Sequence, residues 1–236
     1  MHKSNVSTAV IVAAGLGSRL KGVLDDRPKG FLEIDGVTLI KRTADMLHDF
    51  GIEKIIIVTG YKSHYYDAFA KENDRVYTIH NPFFDNSSSM HSLYCAKELI
   101  NETFLLIESD LIFERQALNI MTRSYFDNAI LLSGSTCSGD EVFVETKNGL
   151  ISHLSKDRHL LENITGELVG ISKISLDMFK KMCSYAEEYF HCNDFYLDYE
   201  QCITSISPTV PVQPIKIEKL LWAEIDAADH YQRVIS

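Results

Sequence analysis

Basic residues are scarce in this sequence. Lys and Arg number 23 against 33 Asp and Glu, a formal net charge of −10 over 236 residues. That balance excludes a chain built to grip a phosphate backbone nonspecifically, so no nucleic-acid partner is expected. No apolar run reaches the roughly 18 residues of a membrane span, and residues 1–7 are polar where a leader would be apolar. No membrane partner is expected, and the cytoplasm follows by default. The five cysteines, Cys95, Cys137, Cys183, Cys192 and Cys202, are odd in number and form no C-x-x-C. They read as reduced thiols, mostly in the core. No H-E-x-x-H string and no nucleophile elbow is present. His80, His91, His153 and His159 are scattered and read as surface or satisfied core residues. Linkers and internal repeats are also missing, which favours one domain over two.

What is present is apolar mass: 45% of the residues, enough for a sizeable core. Its most informative part is residues 9–33. The β-rich run Ala9 to Ala13 leads into Ala14-Gly15-Leu16-Gly17-Ser18-Arg19-Leu20, and Pro28-Lys29-Gly30-Phe31-Leu32-Glu33 follows. A buried strand feeding a small-residue turn lets backbone N–H groups approach an anion such as phosphate. Arg19 and Lys29 add two cations. Leu20 stands where a G-x-G-x-x-G fingerprint needs its last glycine, and no G-x-x-x-x-G-K-[ST] string occurs. On the glycines alone, an ordinary strand-to-loop turn remains equally open.

Strands are expected at 9–13, Lys54–Thr59, Val76–Ile79, Phe104–Ile107 and Ala129–Leu132. Helices are expected at Thr38–Phe50, Lys62–Lys71, about Met90–Leu99 with a serine-rich cap, and about Glu114–Tyr125. Continuous apolar strands alternating with helices predict a mostly parallel α/β sheet with ligands at the strands' carboxyl ends. After Ser133 the pattern changes. Val142–Glu145 and Leu150–Leu154 read as strands joined by an Asn148-Gly149 hairpin turn. Leu168–Ile174 is a further strand, followed by helices at Leu176–Phe190 and Leu197–Ser205. Strands near Val212–Ile217 and Leu221–Ile225 and a closing helix at Ala227–Ile235 end the chain.

Asp110 lies just beyond a buried strand, where a carboxylate can hold a divalent ion or cap a turn. Glu224 and Asp226, two apart in an extended segment, point to one face. With Asp110 they would offer Mg²⁺ its oxygen ligands; alone they also suit a solvated edge or a helix cap. Asn86, Ser87, Ser88 and Ser89 can read a nucleobase edge or cap the following helix.

The string AAGLGSRL followed by RPKGFLEI resembles the signature of nucleotidyltransferases that activate small phosphorylated compounds, from Ala9 to about Arg233. Within that superfamily the chain is most similar to cytidylyltransferases acting on phosphocholine or 2-aminoethylphosphonate. The resemblance implies a three-layer Rossmann-like α/β nucleotidyltransferase fold with a mostly parallel mixed sheet and a small substrate-binding appendage. One domain spans 1–236, its nucleotide part about 8–133 and its acceptor part about 134–236. The resemblance also implies catalytic roles for Lys29 and Arg19 on the phosphates, and Mg²⁺ held by Asp110, Glu224 and Asp226. Nucleotide contacts fall at Ala13, Ala14, Gly15, Gly17, Ser18, Thr59, Gly60, Tyr61 and Asn86 to Ser89.

Acidic strings around Asp140, Glu141 and Glu167, and at Asp198-Tyr199-Glu200, look like those of the aminoethylphosphonate branch. A primary ammonium binds carboxylates, whereas a quaternary one leans on aromatic faces. The expected reaction joins CTP to 2-aminoethylphosphonate, giving CMP-aminoethylphosphonate and pyrophosphate. Phosphocholine is the runner-up acceptor. A sugar 1-phosphate nucleotidyltransferase, or a non-catalytic nucleotide-binding module, comes third. A fused or partner domain of the same pathway also remains open.

Overall fold

The computed structural model describes residues 6–20, 26–226 and 230–231. Its spine is β1 (Thr8–Ala13), whose run TAVIVA is buried on both faces. A short hairpin follows, β2 (Glu33–Ile34) and β3 (Val37–Thr38), then α1 (Leu39–Asp49). The Thr38 hydroxyl caps α1 by accepting the Lys41 N–H. Next come β4 (Lys54–Thr59), α2 (Ser63–Lys71), β5 (Val76–His80), α3 (Ser89–Cys95) and β6 (Phe104–Glu108). β1 pairs in parallel with β4 on one side and β6 on the other, and β4 pairs in parallel with β5.

Alternate residues of these strands enter opposite cores. Val10, Ile56, Val58 and Leu106 pack with Met90, Phe179 and Ile203; Ala9, Ile11, Ile55, Ile57 and Leu105 pack with Leu47 and Leu118. Two covered faces explain why the strands read as unbroken apolar runs.

β7 (Leu111–Phe113) precedes α4 (Arg115–Arg123) and β8 (Ala129–Ser133). Next come β9 (Phe143–Lys147) and β10 (Leu150–Ser155), joined at Asn148 and Gly149, both with positive φ as a two-residue hairpin requires. β11 (Ile164–Ile174) crosses the sheet antiparallel to β6, β8 and β9. Its register shifts between Leu168 and Ser172, around Gly170 at φ +79°. α5 (Leu176–Phe190) and α6 (Tyr199–Ile206) cover one face, and β12 (Gln213–Ile217) adds in parallel to β8. The result is a mixed nine-stranded sheet between helices.

β13 (Trp222–Glu224) pairs antiparallel with β7 outside the main sheet. The sequence reading did not anticipate β7, a three-residue strand between Asp110 and Glu114, although the helix expected from about Glu114 is there as α4. The expected closing helix lies outside the described residues except at His230 and Tyr231, which are helical. Among the described residues no helix is long and apolar enough to cross a membrane.

Candidate active site

The signature turn and the chain's end meet through a small core. Leu20, Leu32, Ile34, Leu39 and Ile225 bury one another. Leu20 anchors the 3₁₀ turn Ser18–Leu20, Leu32 the 3₁₀ turn Lys29–Phe31, and Ile225 the segment after β13. Arg19, Lys29 and Asp226 therefore converge. Lys29 Nζ donates to Asp110 Oδ2 at 2.9 Å and also to Asp226. Arg19 donates to the other Asp226 oxygen.

The β7–β13 pairing sets Glu224 opposite Leu111, and the Ile225 N–H donates to the Asp110 carbonyl at 2.9 Å. Carboxylates from distant parts of the chain thus gather. Oxygens of Glu108, Asp110 and Glu224 all lie within 4.8 Å of one another. Burial and neighbouring carboxylates push Glu108 and Glu224 up to about 8. Like charges so close, with only oxygen donors, fit a hard divalent cation. Glu108 joins Asp110 and Glu224 in this cluster, a member the sequence reading did not name; Asp226, which it did name, lies beside them in contact with Lys29 and Arg19.

Glu108 is held from two sides. The Tyr199 hydroxyl donates to its Oε1 at 2.5 Å. A Cβ on Gly170 would stand 2.8 Å from its Oε2, so only glycine leaves that carboxylate room.

These groups line a cavity of about 790 Å³ at the carboxyl ends of β1 and β6. Ala13, Ala14, Gly15, Arg19, Lys29, Ser87, Ser88, Ser89, Asp110, Glu224 and Asp226 all face it, as do Asp140, Glu141, Glu167, Asp198, Tyr199 and Glu200. Gly17, Ser18, Thr59, Gly60, Tyr61 and Asn86 do not line it. Gly17, at φ +62°, turns the chain so that its carbonyl accepts the Leu20 N–H. Gly60 sits under the β1 loop: a Cβ there would meet the Ala14 carbonyl at 2.5 Å and Phe84 Cβ at 2.4 Å. The Tyr61 N–H donates to the same Ala14 carbonyl, and the Thr59 hydroxyl to that of Ile79. The Asn86 N–H closes a turn on Phe83. These residues shape the pocket from behind.

The serine loop does not cap α3 as expected: Ser88 is the N-cap residue of α3 but makes no side-chain cap bond. Instead the loop is tied to the segment that leads into α6. The Ser88 N–H donates to Phe195 O at 2.9 Å, Met90 N–H to Leu197 O at 3.1 Å, and Tyr199 N–H to Ser89 Oγ at 2.9 Å. Fully buried Asn81, which sequence reasoning missed, steadies the loop by donating to Ser87 Oγ and Ser92 Oγ, each at 3.0 Å. Its Oδ1 faces His91 Nδ1 at 3.0 Å, and burial holds the His91 pKa low.

Two carboxylates of the cavity wall have oxygens without hydrogen bonds. Glu200 Oε2 and Asp140 Oδ2 are buried and accept no hydrogen bond among the described residues. Burial, then Asp198, push Glu200 up to about 7. Asp140 Oδ2 stands 3.9 Å from Arg19 and 4.0 Å from His230, a further cavity residue absent from the sequence reading. Glu167 does different work: it accepts the Thr136 N–H at 2.8 Å and hydroxyl at 2.7 Å, fastening the loop that carries Asp140 and Glu141. Trp222 also lines the cavity.

Comparison with known proteins gives a consistent picture. The model of the MobA-like NTP transferase domain matches residues 9–167. A choline-phosphate cytidylyltransferase of Streptococcus pneumoniae is 24% identical over 96% of each chain. A 2-aminoethylphosphonate cytidylyltransferase of Lancefieldella rimae is 25% identical over 95% of this chain and 92% of its own. The fold matches that of the inositol-1-phosphate CTP transferase from T. maritima, with a TM-score of 0.84 and 19% identity over 99% of this chain and 96% of that one.

Proposed function

The chain belongs to the MobA-like NTP transferase family and is a nucleotidyltransferase; from that premise we propose that it transfers CMP from CTP to 2-aminoethylphosphonate. The observation that carries the choice of acceptor is the buried Glu200 Oε2, which accepts no hydrogen bond among the described residues, with the Asp140 carboxylate on the same cavity wall. An ammonium group offers three N–H donors to such oxygens, and a trimethylammonium offers none. The names of the two cytidylyltransferase relatives support CTP as the donor.

A phosphonate oxygen of the acceptor attacks the α-phosphorus. One P–O bond forms, the bond to the β-phosphate breaks, and pyrophosphate leaves with its electron pair. The acceptor is already anionic, so no strong general base is needed, and positioning with charge neutralisation carries the rate. Lys29, oriented by Asp110 and Asp226, presents its ammonium to the triphosphate, and Arg19 adds charge at the cavity mouth. The turn after β1 supplies backbone N–H groups to phosphate oxygens. Glu108, Asp110 and Glu224 would hold Mg²⁺, which supplies Lewis-acid charge neutralisation when bound. Ser87 to Ser89 would meet the cytosine, and the acidic wall the amine.

Phosphocholine is the second reading, favoured by Trp222 and Tyr199 among the cavity's lining residues, since a quaternary ammonium leans on aromatic side chains. A matrix of four nucleoside triphosphates against aminoethylphosphonate, phosphoethanolamine, phosphocholine and sugar phosphates, read by pyrophosphate release, tests the proposal. Turnover should require CTP and be highest with aminoethylphosphonate. A purely binding module would release no pyrophosphate in any well.

A further inference from the structure

A second hollow of about 550 Å³ lies beside the main cavity, against β10, α5 and α6. Val142, Lys156, Asp198 and Glu200 line both, so the two meet there. The second hollow has an aromatic wall. Tyr185 and Tyr189 line it with their hydroxyls bonded at 3.0 Å, and Tyr196 and Leu160 stand at its rim, 65% and 61% exposed.

At the junction the two carboxylates differ. Asp198 is occupied: it caps α6 in a reciprocal box with Gln201 and accepts from Ser89 Oγ at 3.4 Å. Glu200 Oε2 is buried with no hydrogen-bond partner among the described residues. A primary ammonium bound at Glu200 would end at the junction and leave the aromatic hollow to water. A substituted ammonium can keep its charge beside Glu200 and lay its substituent on the tyrosine faces, where cations and apolar groups are both favoured.

We propose that the acceptor site extends into this second hollow, so that the enzyme accepts aminoalkyl phosphonates or phosphates whose nitrogen, held at Glu200, carries an alkyl arm lying along Tyr185, Tyr189 and Tyr196. This rests on the reading of the main cavity as the site of an aminoalkyl acceptor. The substrate class is thereby N-substituted, larger than the parent amine.

The test is a length series with CTP: aminoethylphosphonate and its N-methyl, N-propyl and N-pentyl derivatives. A parallel series is built on phosphocholine with one methyl lengthened in the same steps. Each is run on the wild-type enzyme, on Ser205→Trp, which fills the hollow from α6, and on Tyr196→Ala, which removes one rim wall and guards against a misfolded tryptophan variant. In the wild type kcat/KM should rise about two- to fourfold per methylene as far as N-propyl, the gain expected of a methylene leaving water. Both variants should erase that gain and leave the parent acceptor within about twofold, as for substitutions away from the reacting centre.

A tenfold fall on going to N-propyl in the wild type, or a gain that survives both variants, overturns the extension. If phosphocholine turns over and the parent amine does not, the amine reading fails by itself, and the extension is then judged on the choline series. Silence in both series overturns both.

Discussion

Replacing Glu108 by Gln should have opposite effects with and without a divalent cation. Gln keeps the shape and still accepts the Tyr199 hydroxyl, but it removes one of the carboxylates that crowd within 4.8 Å. At an effective dielectric of about 20, two unit charges 4.8 Å apart repel by on the order of 3 kcal/mol. The native protein avoids part of that by holding protons, since Glu108 is pushed from its ordinary 4.5 to about 8 by burial and by Glu200 and Asp110. Between those values the folded state binds a proton that the unfolded state has released. Stability in chelator therefore falls as pH rises through that window, and is lowest above about 8. Glu108→Gln removes one such titration. In chelator, urea unfolding followed by Trp222 fluorescence should show the variant more stable than wild type by about 1–3 kcal/mol at about pH 9, and the two nearly equal at about pH 5. With Mg²⁺ the order should reverse, and the apparent Kd for Mg²⁺, titrated calorimetrically, should rise by about 10–100-fold. A variant destabilised by more than about 1 kcal/mol in chelator at about pH 9, or one that binds Mg²⁺ like wild type, would refute the cluster as a cation site.

Asp110→Asn should fold normally and lose about 10²-fold or more in kcat, and near-normal turnover in saturating Mg²⁺ would remove it from the metal set. Lys29→Ala should lower kcat more than it weakens CTP binding if its contact strengthens in the transition state; a raised KM for CTP with unchanged kcat would make Lys29 a ground-state binder. Gly170→Ala forces a side chain onto a φ of +79° and a Cβ to 2.8 Å from Glu108 Oε2. It should cost about 1–3 kcal/mol in urea unfolding and raise the Mg²⁺ concentration for half-maximal activity. An unchanged Mg²⁺ requirement would show that Gly170 does not shape the cluster.

The parallel core was legible because strands covered on both faces must be apolar throughout, and α5 appears at its expected bounds, Leu176–Phe190. The Asn148-Gly149 turn was legible because positive φ is needed at both positions. β7 was not: three residues carry no periodicity, and the strand exists only because β13 returns to pair with it. Glu108, at the end of β6, was also not named, although Glu108 and Asp110 repeat the two-residue spacing of Glu224 and Asp226. Asn81 gave no signal, because its partners Ser87, Ser92 and His91 converge only when the loop before α3 folds back. Glu167 was read as an acceptor ligand; it lines the cavity, and its Oε2 also holds Thr136, a loop-fastening role that composition cannot show.

The most direct measurement is a competition. Equimolar aminoethylphosphonate and phosphocholine share one tube with limiting CTP and Mg²⁺, and the two products are quantified by phosphorus NMR. At low conversion the product ratio equals the ratio of the two kcat/KM values. A buried Glu200 oxygen that accepts no hydrogen bond among the described residues, offered to an ammonium, predicts at least about tenfold more CMP-aminoethylphosphonate than CDP-choline, a difference of roughly 1.4 kcal/mol. CDP-choline as the major product would contradict the assignment and give the acceptor to the quaternary amine.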